Sequence, residues 1–100
     1  MGMGDVAMRE PVVAGRFYPG TKAEIDGALA RMFGGTPPPA RSAVGVVLPH
    51  AGWMYSGNLA ARTLATVEVP PRVVIFCPNH TGRGARVAVS MAPHWRTDRK

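Results

Sequence analysis

The chain has 100 residues, 46% hydrophobic and 18% charged, and no apolar run approaches the ~20 residues that a membrane helix needs. This excludes a disordered or membrane-spanning class and leaves about one small domain, which buries only ~60–70% of its unfolded surface. The net charge of +6 comes from ten arginines and two lysines against six acids, scattered without interleaved aromatics, so a solvated basic surface is expected rather than a nucleic-acid or membrane partner.

The opening MGMGDVAMRE holds acids and no apolar h-region, so no secretory signal is expected and a cytoplasmic location follows by default. Residues 1–8 read as a flexible N-terminus. The single cysteine, Cys77, allows no internal disulfide. In residues 9–20, REPVVAGRFYPG, the turn formers Gly15, Pro19 and Gly20 surround the aromatic pair Phe17-Tyr18, which predicts an irregular segment packed onto the domain.

Thr21 followed by Glu24 fits a capping box, in which each side chain satisfies the other residue's amide. Ile25, Ala28, Leu29 and Met32 then repeat at i, i+3, i+4 and i+7, so a helix over 22–33 is predicted, ended by left-handed residues at Gly34-Gly35. Residues 36–41, TPPPAR, carry three prolines and read as an extended connector.

Residues 43–48 are continuously apolar, which suits a parallel strand covered on both faces. A turn follows, and Ser56 is placed to cap a helix burying Ala60, Leu64 and Val67, before Pro70-Pro71 closes the unit. Residues 73–77 repeat the continuous apolar pattern, so strand, helix and strand fit the length of a right-handed βαβ crossover. Residues 86–91 read as a weaker third strand, and residues from 93 onward carry no assignment. The predicted architecture is α/β, a βαβ core with a largely parallel sheet. Because two helices are too few to cover both faces of such strands, one face or edge is expected to stay open and to invite self-association.

Each of the two apolar runs ends in a proline and then delivers a histidine, His50 in Pro49-His50 and His80 in Pro78-Asn79-His80. In open α/β sheets ligands bind beyond the carboxyl ends of strands, and neighbouring strands lie ~4.8 Å apart, so the two imidazoles are expected to converge. Such a pair serves as neutral ligands to Fe, Zn or Cu or as acid and base near neutral pH; taken singly, a histidine after a strand is more often an ordinary turn residue bonded to backbone. Tyr55 is the one side chain of that loop able to donate to a bound oxyanion, and Trp53 with Tyr55 either walls a pocket or staples the turn. Asn79 either orients an imidazole or closes its own turn. Arg83 and Arg86, beside His80, are placed to draw in an anion. Cys77, within the apolar run, reads as a buried core thiol, and His94 as a surface residue.

Arg9-Glu10, Ala14-Gly15 with the aromatic pair at 17–18, Pro49-His50-Ala51-Gly52 with Tyr55-Ser56-Gly57, and Pro78-Asn79-His80 with Thr81-Gly82 resemble, in order and over roughly residues 9–97, the Memo-like family, also called AmmeMemoRadiSam system protein B. The resemblance implies a fold like the N-terminal part of the class III extradiol dioxygenases, non-haem iron enzymes that open catechol rings. It also implies that His50 and His80 take the positions of the first two metal-pocket ligands. Family members are more than twice as long, and the resemblance implies a further cysteine and histidine in a C-terminal part that this sequence lacks. The family continues past 95–97 with a Pro-Leu pair where this sequence reads Asp98-Arg99-Lys100. The expectation is one truncated Memo-like domain over 1–100, with 98–100 as a divergent tail.

Two functions follow from the resemblance and the site. One is an iron-dependent redox or dioxygenase-like protein, inactive alone, using His50, His80 and Tyr55, with another transition metal as the alternative ion. The other is a non-catalytic module that holds a peptide or small molecule in the same pocket.

Overall fold

Thr21 opens the first helix of the computed structural model, which describes residues 8–97. Its backbone is extended and its hydroxyl accepts from the Glu24 amide at 3.2 Å, so α1 begins at the expected residue and runs Lys22–Met32. The reciprocal half of the capping box does not form, and an i,i+4 ion pair, Lys22 Nζ to Asp26 at 2.7 Å, braces the first turn instead. Ile25 and Ala28 are buried and Leu29 and Met32 half-buried, which is the predicted stripe. Phe33 caps the end through its amide to the Leu29 carbonyl, and of the two following glycines only Gly35 takes a left-handed conformation, at φ +88°.

The second helix, α2, spans Trp53–Leu64 and starts three residues before the Ser56 position expected to cap it. Gly52 is the N-cap, and the Ser56 hydroxyl donates back to the Ala51 carbonyl at 3.0 Å rather than accepting an orphan amide. The reason lies in tertiary structure: the Trp53 amide is satisfied by the Phe17 carbonyl at 2.8 Å, so the aromatic segment does the work of a capping side chain. A Cβ at Gly52 would lie 3.3 Å from that same carbonyl oxygen, so a larger residue there would require the Phe17 backbone to give by a few tenths of an ångström.

The two helices pack on each other and make the core, whose buried hydrophobic residues are Ile25, Ala28 and Ala61. Gly57 of α2 lies against Met32 of α1, where an added Cβ would meet the Met32 Sδ at 2.5 Å. Burial of one large aliphatic side chain stabilises by about 1.5–3 kcal/mol, so a core this small leaves little margin.

The predicted strands over 43–48, 73–77 and 86–91 do not form. Those residues join no ladder and, the half-buried Leu48 apart, stay open to solvent, with Val47 at 94% and Phe76 at 91% exposure. A strand, unlike a helix, needs a neighbour for its backbone bonds and a layer for each apolar face, and two helices packed on each other offer neither to these runs. The whole-chain surface of 8900 Å² exceeds the ~5,500 Å² expected of a compact fold of this mass. The βαβ crossover survives only at its entry: Arg41 bridges the chain just after α2, donating to the Thr66 carbonyl and accepting from the Glu68 amide.

The sheet that does form is one not predicted. Strand β1, Met8–Arg9, pairs in parallel with β2, His94–Trp95, with Met8 opposite His94 and Arg9 opposite Trp95. The Arg9 guanidinium lies 4.7 Å from the Trp95 ring centre, and Arg96 reaches Glu10 at 3.1 Å. Met8 is therefore a strand residue rather than the end of a flexible tail; the rest of that expected tail, and the divergent 98–100, lie outside the described residues. The described architecture is a small α/β arrangement of two helices and a two-stranded parallel sheet. No helix among the described residues is long and apolar enough to cross a membrane.

Candidate metal centre

Pro49 ends the first apolar run, and His50 follows it directly before the Ala51-Gly52 turn into α2. Thirty residues on, His80 is carried by a loop that closes on Asn79. The Asn79 Oδ1 accepts from the Thr81 amide at 3.2 Å, the Gly82 amide at 3.1 Å and the Thr81 hydroxyl at 3.1 Å, while its Nδ2 donates to the Arg83 carbonyl at 2.8 Å. Asn79 thus closes its own turn, one of the two roles open to it in the sequence, and Gly82 and Gly84 supply the left-handed backbone the loop requires.

The two imidazoles meet. Their ring centres are 5.2 Å apart with planes tilted by 37°, and both residues are exposed. The expected convergence is realised without the ladder expected to produce it, since the runs touch at their entry through Arg41 and at their exit through the histidines. Among the described residues no third histidine, cysteine, aspartate or glutamate joins the pair in a metal-binding group.

His50 also lines a cavity of about 420 Å³ between the aromatic segment and the helices, bounded mainly by apolar side chains such as Leu29, Met32, Trp53, Ala61 and Leu64. Trp53 walls this cavity and holds its position against Tyr18, ring centres 5.7 Å apart. Tyr55 does not join it; its side chain is 82% exposed on the first turn of α2. His80 stands outside the lining, reaching the cavity only through His50. Cys77 is exposed rather than buried, because the run it belongs to forms no strand and packs against no layer.

The contribution of α1 to the cavity wall, through Leu29 and Met32, was not read from the sequence. The helical stripe that carries these residues was visible, but which element it faced was not.

A small α/β protein that presents a histidine pair, one member of which lines an apolar cavity, is the class that the fold and the site define. A family model described as Memo-like protein matches residues 9–98, and the chain belongs to that family. It is 46% identical to a MEMO1 family protein of Methanosarcina mazei and 38% identical to one of Aquifex aeolicus, in each case over 90% of this chain and 33% and 34% of the relative. A MEMO1 family protein of Thermotoga neapolitana is 40% identical over 90% of this chain and 38% of its own length. The chain thus spans about a third of the length of the curated relatives it matches. No solved structure matches it.

Proposed function

We propose that this Memo-like chain is a metal-binding protein in which His50 and His80 are two of the ligands of a non-haem iron that serves redox or dioxygenase-like chemistry. The observation that supports this is the approach of the two imidazoles to 5.2 Å from runs thirty residues apart. Two imidazoles bound to one ion at ~2.1 Å with a tetrahedral angle between them put their ring centres ~5 Å apart, so the pair fits the spacing. Neutral imidazole nitrogen is also a donor that suits iron, zinc and copper.

When bound, the ion supplies Lewis-acid or one-electron chemistry at its open positions. The chain's own residues do the positioning. Pro49 restricts the backbone on which His50 stands, and the four hydrogen bonds of Asn79 fix the loop that carries His80. The cavity beside His50, walled mainly by apolar side chains and open on one side, accepts the apolar part of a small ligand. In this proposal the remaining ligands and the groups that select a substrate belong to the region that the longer relatives carry beyond the match.

The test is anaerobic titration with ferrous iron, with bound metal measured at equilibrium. The parent chain is expected to bind iron weakly, because two imidazoles leave its site incomplete, and His50→Ala or His80→Ala to lose at least tenfold in affinity. Equal metal content in parent and variants would overturn the reading. An apolar probe that binds the cavity with no dependence on metal or on either histidine would point to the non-catalytic module instead.

A further inference from the structure

We propose that a second cleft, which shares Tyr18, Met32 and Trp53 with the His50 cavity but contains neither histidine of the pair, binds a small aromatic carboxylate without any metal. The cleft has a volume of about 600 Å³ and lies between residues 15–19, α1 and α2, a size that holds a small molecule. Each of the three elements brings a side chain able to donate to an anion: Arg16 from the aromatic segment, Arg31 from α1 and Asn58 from α2. The whole lining falls within residues 15–58, inside the stretch that the family model matches.

Both guanidiniums are held by the chain itself. That of Arg16 lies 5.8 Å from the Phe17 ring centre, and Arg31 folds back along α1, its Nη1 3.5 Å from where a Cβ on Gly27 would stand. Neither joins the ion pairs of the described residues, which are Lys22 with Asp26 and Arg96 with Glu10, so their donors are left for a ligand. The one carboxylate of the lining, Glu24, stands seven residues before Arg31, about 10 Å along the helix axis, and does not pair with it. Two guanidiniums against one carboxylate leave a single positive charge, which suits a monoanion, and the guanidinium fork matches the two oxygens of a carboxylate. The rest of the wall suits a flat ring. Tyr18 and Trp53 are half-buried with ring centres 5.7 Å apart, and the half-buried Met32 adds a polarisable thioether that packs well on aromatic faces. The acid group of the ligand then lies on Arg16 and Arg31, and its ring against Tyr18 and Trp53.

The experiment is isothermal titration calorimetry on the 100-residue chain, in EDTA, with indoleacetate, its neutral analogue tryptophol, its cationic analogue tryptamine, and acetate alone. Indoleacetate is expected to bind one per chain, about tenfold or more tighter than the other three, and more weakly as NaCl is raised. Arg16→Gln and Arg31→Gln should each weaken it about fivefold or more, and Glu24→Gln should tighten it about twofold, with helix content by circular dichroism as in the parent. These three side chains are exposed and outside the core, so their variants test the site rather than the fold. No binding of indoleacetate at about 1 mM, equal binding of the three indoles, or indifference to both arginine substitutions overturns the proposal. Binding that is lost in His50→Ala and kept in Arg31→Gln puts the ligand in the neighbouring cavity and overturns it as well.

Discussion

The helical half of the molecule and its two apolar runs have similar appetites for burial and opposite outcomes. In α1 and α2, modestly apolar stripes find each other, and Ile25 and Ala61 are 5% and 3% exposed. In residues 43–48 and 73–77, denser apolar sequence lies open. The difference is backbone chemistry: a helix satisfies its amides and carbonyls within itself and brings to packing only a side-chain problem, while a strand brings both. Hydrophobicity decides what wants to be buried, and hydrogen-bond supply decides what is. The histidine pair sits on the boundary, with His50 against the packed cavity and His80 at the end of an open run.

The broadest way to break this comparison is amide hydrogen exchange. Amides in the middle of α1 and α2 should exchange slower than those of 44–47 and 73–76 by a factor on the order of 100, because the latter have no intramolecular acceptor. Equal rates in both regions would mean that the runs are paired in solution.

A matched pair of substitutions sharpens it next. Ile25→Ala removes a buried side chain and should cost about 2–5 kcal/mol, enough to unfold much of so small a core, while Phe76→Ala should change stability by less than about 0.5 kcal/mol. Urea denaturation followed by circular dichroism at 222 nm measures both. A Phe76→Ala cost close to that of Ile25→Ala would show the open run to be covered.

Thr21→Ala separates the two helix starts. It removes the only side-chain cap of α1 and should cost about 1 kcal/mol, whereas Ser56→Ala, which removes a back-bond to Ala51 and no cap, should cost about half as much or less in the same melts. The reverse order would restore Ser56 as the structural start of α2.

The smallest effect expected is at the β1–β2 junction. Glu10→Gln breaks an exposed ion pair with Arg96, so a loss of about 0.5 kcal/mol or less is predicted at low salt, and none by 0.5 M NaCl. A loss that survives high salt would place more weight on that junction than its exposure allows.

By itself the sequence determined what is local. The Thr21 cap, the stripe from Ile25 to Met32 and the turn at Gly15 follow from interactions within a few residues, and each forms where it was read. The approach of His50 to His80 was also legible, because two runs with the same Pro and His ending imply a shared edge whether or not a ladder joins them. Tertiary structure alone decided the rest. Phe17, not Ser56, caps α2, because a carbonyl 36 residues away in sequence reaches the Trp53 amide first. Met8–Arg9 pairs with His94–Trp95, two-residue segments too short to carry any period. The runs at 43–48 and 73–77 stay open, since a strand exists only where another stretch of backbone meets it, and no property of its own residues supplies that neighbour.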